Sequence, residues 1–183
     1  MSLQLTDWNA VAQVDEAHFG PAKFNLLKMG TVGETDWRDT LVLRVDDLDA
    51  LLDRLERRFQ ADTGLFEVIR YVRPIHRHFQ FDTPADFKSS VLDAALGFRS
   101  RLIGRHFDIR TSLRGSTEEF DPEEFRLRLG DVLQETLQGA TTRPTPSDRL
   151  PEMLLDLETV GQTGGLACWS RPQLKRYPFL RFD

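Results

Sequence analysis

The chain has 183 residues and one cysteine, Cys168. A disulfide framework and a multi-cysteine zinc site are therefore excluded, and the expected compartment is the cytoplasm. No run approaches the length of apolar sequence that a membrane-spanning helix needs. The opening MSLQLTDWNAV has no basic segment followed by an apolar one, so no signal peptide is expected. Catalytic signatures are missing as well. The sequence has no GxxxxGK[ST] phosphate loop, no GxGxxG, no GxSxG elbow and no HExxH. No cofactor is expected. An overall basic excess is also lacking, since the formal net charge is -5. That excludes a uniformly basic nucleic-acid coat but not a local patch.

What is there is globular composition, 40% hydrophobic and 29% charged. The charge is segregated. Between Arg70 and Arg114 stand nine Lys/Arg and only four acids, so the rest of the chain is strongly acidic. His76, His78 and His106 share this basic window. A second cluster, Arg171, Lys175, Arg176 and Arg181, closes the sequence. Segregation of this kind focuses an anion onto one surface, or else the arginines pair with the protein's own carboxylates.

Hydrophobic patterning divides the chain. Residues 1–73 read as strand (Trp8 to Val14), helix (Gly20 to Lys28), strand (Thr31 to Thr35), strand (Thr40 to Val45), helix and strand (Leu65 to Val72). Leu48, Leu51, Leu52, Leu55 and Phe59 carry the second helix at i, i+3, i+4, i+7 and i+11. This βαββαβ order predicts a ferredoxin-like unit. Residues 74–183 form a second α/β unit, which makes the fold class α+β. Thr83-Pro84-Ala85-Asp86 and Asp121-Pro122-Glu123-Glu124 are helix starts, with an N-cap, a first-turn proline and an acid three residues on. Gly97 weakens or ends the first of these helices. The second carries Phe125, Leu129, Val132, Leu133 and Leu137. Alternation from His106 to Arg114 predicts a strand with Arg110 and Arg114 on one side. Ala140 to Pro151 reads as an exposed loop. Met153 to Val160 and Leu166 to Trp169 read as strands, joined by a turn at Gly161 to Gly165.

Few residues invite chemistry. His76 and His78 lie on one strand face, but two imidazoles do not close a zinc site, and no metal is expected. Cys168 sits in an apolar strand and reads as a small buried hydrophobe. Asp156 and Glu158 share a strand face, where they serve as an acid–base pair or, in the preferred reading, as partners of Arg110 or Arg114. No catalytic residue is assigned. The cations are the most informative feature. Lys88, Arg99, Arg105, Arg110 and Arg114, assisted by Arg171, Lys175 and Arg176, form a candidate set for contacts to RNA phosphates. Exposed aromatics for base stacking are few, with Trp169 and Tyr177 the candidates.

Several segments together resemble the THUMP domain of tRNA-modifying proteins. They are Phe79-Gln80-Phe81 leading into TPADFKSSVLDAAL, then LIGRHFDIRTSLRGS, then MLLDLETVGQTGGLACWSRPQLKRYPFL. The family's basic residue before an aromatic-headed strand, closing in Arg-Gly, falls on Arg105, Phe107, Arg110, Arg114 and Gly115. Leu113 stands where relatives often have a second basic residue. DWNAVAQV and DTLVLRVDDLDALLDRL resemble the ferredoxin-like domain that often precedes THUMP.

The resemblance implies an RNA-binding module that docks the acceptor end of tRNA. In most relatives a catalytic domain is attached. The sequence is similar to the free-standing adaptor that presents tRNA to a cytidine acetyltransferase. The expected function is therefore a non-catalytic tRNA-binding adaptor, not itself an enzyme. Its partners would be tRNA and a separate modifying enzyme, an acetyltransferase or a methyltransferase, with no membrane and no DNA. The alternatives are a protein–protein scaffold that kept the fold and lost RNA binding, and a stand-alone enzyme with a cleft between its units.

Overall fold

Alternating and helical apolar stripes decide where the first strands and helices form. The computed structural model describes residues 5–115, 120–142 and 150–182. Strand β1 (Ala10–Val14), helix α1 (Phe19–Leu27), strands β2 (Thr31–Glu34) and β3 (Thr40–Arg44), helix α2 (Leu48–Gln60), a helical turn α3 (Leu65–Val68) and strand β4 (Ile69–Pro74) follow in sequence. The sheet order is β2-β3-β1-β4 with antiparallel neighbours, the expected ferredoxin-like arrangement. Helix α2 begins where Asp47 accepts a hydrogen bond from the Ala50 N–H at 2.9 Å. It buries Leu51, Leu52 and Leu55, whereas Phe59 at the end of the stripe is 38% exposed.

One expected strand is split. Leu65 to Val72 has β-forming composition, yet Leu65–Val68 is helical and the strand starts at Ile69. Ladder length explains this. The β1–β4 pairing runs from Ala10↔Pro74 to Val14↔Ile69, and no β1 residue faces the preceding segment. A strand former without a ladder partner gains little from extended backbone. Gly64, at φ +70°, supplies the left-handed residue that opens the helical turn instead.

The second unit contains strand β5 (Arg77–Gln80), helices α4 (Pro84–Leu96) and α5 (Arg99–Leu102), strand β6 (His106–Ser112), helix α6 (Pro122–Thr136), strands β7 (Thr141–Thr142), β8 (Met153–Val160) and β9 (Thr163–Ser170), and helix α7 (Arg171–Arg176). Its sheet order is β5-β9-β8-β6-β7. Strand β6 runs parallel to β7 and β8, while β9 is antiparallel to β8 and β5. The fold class is α+β. Both capped starts form as the sequence predicts. Thr83 accepts from the Asp86 N–H at 3.1 Å, and Asp121 from the Glu124 N–H at 2.7 Å. Gly97 caps α4.

Phe87 sits at the centre of this unit's core. Its ring lies 4.9 Å from Phe81, 5.1 Å from Phe125 and 5.3 Å from Phe120, centroid to centroid. Burying each such ring stabilises by roughly 2–3 kcal/mol. Val132 is 39% exposed and takes no part in the α6 stripe. The glycine-rich turn is tighter than its composition suggests. Only Gly161 and Gln162 connect the strands, and Thr163, Gly164 and Gly165 belong to β9. Gly164 pairs with Phe79 across β5–β9, and its missing side chain is the space that the Phe79 ring occupies. The expected loop from Ala140 contains the short strand β7, and its residues 143–149 lie outside those described.

The chain groups into a unit up to Ile75 that also takes in Tyr177–Phe182, and a unit His76–Arg176. The return of the last residues to the first unit is the main feature absent from the sequence reading, which divided the chain at 73/74. Arg73 fastens this segment. Its Nε–H donates to the Leu180 carbonyl at 3.0 Å and its Nη2 donates to the Arg181 carbonyl. The guanidinium lies over the Tyr71 ring at 3.8 Å and the Phe182 ring at 4.5 Å. Phe179 is fully buried against Phe59 and Phe66.

Candidate nucleic-acid interface

The basic window divides into arginines that hold the fold and cations that face water. Arg101 is of the first kind. It donates to the Cys168 carbonyl at 2.8 Å and to Gln173 Oε1 at 3.0 Å, tying β9 to α7. Arg77 donates to the Gly97 carbonyl at 3.3 Å. Arg126, outside the window, bridges Glu123 at 2.6 Å and Asp108 at 3.3 Å. The hydrogen bond to Arg126 holds the Glu123 carboxyl below the usual carboxylate range.

Two members of the candidate set lie on or just beyond β6. Arg110 is half-buried, and the parallel register places it beside Asp156. Arg114 follows the strand and pairs with Glu158, Nη1 to Oε2 at 2.8 Å. Asp156 and Glu158 are both completely buried. The preferred pairing of Glu158 with a β6-side arginine is thus present, though as an interior contact and not an exposed one. Carboxylates sealed from solvent in this way do not present an acid–base pair to a surface substrate.

The Arg114-Gly115 pair also closes the end of the sheet. Arg114 N–H donates to Thr159 Oγ1 at 2.8 Å, and its carbonyl accepts from the Gly161 N–H at 3.1 Å. Gly115 has φ +98°, and a Cβ there would lie 2.6 Å from Gly161 Cα. Glycine is required at this position by close backbone approach.

The remaining cations are exposed. Lys88 projects from α4, with its Nζ 5.3 Å from the Phe120 ring centroid. Arg99 starts α5, and Arg105 stands in the turn before β6, after Gly104 at φ +69°. Arg171 opens α7 and donates to the Leu150 carbonyl at 2.9 Å. Lys175 and Arg176 close the same helix. Among the described residues, Lys88, Arg99, Arg105, Arg171 and Lys175 have no ion pair.

The expected stacking platform is not at the surface. Trp169 is 0% exposed and Tyr177 7%. Trp169 is buried on a face of β9, where its ring packs on His76 at 4.9 Å between centroids. Tyr177 packs on Phe179 at 5.6 Å. Cys168 is buried, and desolvation pushes its thiol up to about 11 despite the nearby Arg101. His76 Nδ1 accepts a hydrogen bond from the Cys168 N–H at 3.1 Å. Among the described residues no group of three or more His, Cys, Asp or Glu is placed to hold a metal ion, and no helix is long and apolar enough to cross a membrane.

No protein-family model and no curated protein matches this sequence. Solved structures do share its fold. TrmN from Thermus thermophilus superposes with a TM-score of 0.58 at 18% identity, over 92% of this chain and 48% of that one. PH1313 from Pyrococcus horikoshii Ot3 gives 0.58 at 11% identity, over 87% and 53%. A 4-thiouridine synthetase, solved in complex with RNA and bound ATP, gives 0.53 at 13% identity, over 90% and 42%. The chain thus spans about half the length of each of these proteins or less.

Proposed function

We propose that this chain is a THUMP-type RNA-binding module that presents the acceptor end of tRNA to a separate RNA-modifying enzyme and performs no chemistry itself. The observation that carries this reading is a set of five exposed cations on the second unit that have no ion pair among the described residues: Lys88, Arg99, Arg105, Arg171 and Lys175. Exposed guanidinium and ammonium groups attract a polyanion in a chain whose net charge is otherwise negative. The shared fold with a synthetase solved on RNA supports nucleic acid as that polyanion. The buried state of Asp156 and Glu158 favours a binding role over catalysis by those carboxylates.

The test is a titration with tRNA at two salt concentrations, repeated with tRNA trimmed of its 3′ CCA. Binding is expected to weaken with salt and on trimming. Arg105→Ala and Lys175→Ala are each expected to flatten the log–log salt slope by roughly 0.7–0.9. Salt-independent capture of one protein without tRNA would instead establish the scaffold alternative.

A further inference from the structure

In the first unit, the turn after α2 and the segment around Arg181 border an open pocket of about 270 Å³. Arg58, Arg181, Asp62 and Glu67 line it, together with the rings of Phe59 and Phe66. Among the described residues, neither Arg58 nor Arg181 has an ion pair. The two non-glycine residues described with positive φ, Asp62 and Arg181, both at +46°, are both in this lining. Asp62 adopts such backbone readily just past the end of α2, whereas for an arginine it persists only where the surroundings enforce it. For Arg181 the enforcement is visible, because Arg73 grips the carbonyls of Leu180 and Arg181.

The lining makes three chemical demands. Two guanidiniums require acceptor oxygens, for which phosphate geometry is well matched. Two carboxylates require hydroxyl or amino donors. The Phe59 ring, partly open to water and edge-to-face with Phe66 at 5.4 Å, suits a flat apolar body. Inorganic phosphate meets the first demand only and is repelled by the carboxylates. We propose that this pocket binds a single nucleotide unit, with its phosphate on Arg58 and Arg181, its sugar hydroxyls on Asp62 or Glu67, and its base against Phe59. A free mononucleotide and a nucleotide of an RNA strand carry the same chemistry. The site uses none of the cations of the second unit, so it stands or falls apart from the tRNA interface proposed above.

The test uses the full chain. AMP, inorganic phosphate and a four-nucleotide RNA are titrated while amide shifts of residues 58–67 and 181 are followed by NMR. AMP is expected to bind roughly tenfold tighter than phosphate and to lose roughly tenfold in affinity in Arg58→Gln and in Arg181→Gln. Arg57→Gln, on the same helix but outside the lining, serves as the control and leaves the affinity unchanged. Asp62→Asn narrows the gap between AMP and phosphate by weakening the acceptor offered to the sugar hydroxyls, which only AMP carries. AMP binding as tightly as the tetranucleotide identifies a free nucleotide as the ligand, and tighter binding of the tetranucleotide identifies RNA. Amide signals unmoved by AMP and RNA at about 10 mM, phosphate binding as tightly as AMP, or variants indistinguishable from the control would each overturn the proposal.

Discussion

Removing Arg114 tests how a fold-holding arginine differs from an exposed one. Its guanidinium stands 2.8 Å from Glu158, with the two side chains 15% and 0% exposed. At an effective dielectric constant near 20, two unit charges at that separation attract by about 6 kcal/mol. Much of that offsets the cost of taking both groups out of water. In Arg114→Ala the desolvation cost of Glu158 remains while this attraction is gone. The expected loss of stability is about 3 kcal/mol or more. Replacing both residues together, Arg114→Leu with Glu158→Gln, is expected to recover part of it, because Glu158 then leaves no unpaired charge behind. Arg105→Ala, at an exposed site without an ion pair, should change stability by at most about 0.5 kcal/mol. Urea denaturation followed by tryptophan fluorescence measures all three, with buried Trp169 reporting on the second unit. An Arg114→Ala protein as stable as Arg105→Ala would refute the reasoning. The same comparison guards the RNA experiment, since weakened binding by Arg114→Ala can come from a loosened sheet end.

Two further outcomes follow from packing and burial. Gly164→Ala places a methyl group in the Phe79 ring, and overpacking of that kind is expected to cost about 1–3 kcal/mol, partly relieved by Phe79→Leu and read from the same urea curves. Cys168 holds its proton up to about pH 11 in the folded chain, whereas an exposed thiol releases it near 9.0. Below pH 9 the two states bind this proton alike. Above it the unfolded state loses the proton first, so stability falls as pH rises, by roughly 2 kcal/mol at about pH 11. Cys168→Ala should show a shallower decline over that range, and an identical pH profile would exclude the effect.

The parts of the fold legible in the sequence were those written locally. Thr83 and Asp121 cap their helices through residues three positions on, and the alternation from His106 is its own record of β6. The split at Leu65–Ile69 was illegible because it depends on where β1 runs out, information held in residues some 55 positions earlier. The candidate site was legible only as a list of cations. Exposure separated Arg105 and Lys175 from Arg114, and exposure is set by tertiary packing. Asp156 and Glu158 looked like outward residues of an alternating strand, yet all eight residues of β8 are buried. Periodicity of two marks faces, and it does not say that one of them meets water.

The Arg73 grip on the chain's last residues also bears on the order of events during synthesis. Residues up to Ile75 leave the ribosome before those of the second unit, but the aromatic cluster of the first unit closes only when Phe179 arrives. About a hundred residues of the second unit are made in between, which at 5–20 residues per second is a delay of roughly 5–20 s. Throughout that interval Phe59 and Phe66 lack their third ring. Of these two units the one made earlier is therefore completed later, and its half-finished face is a surface that chaperones would meet on the nascent chain.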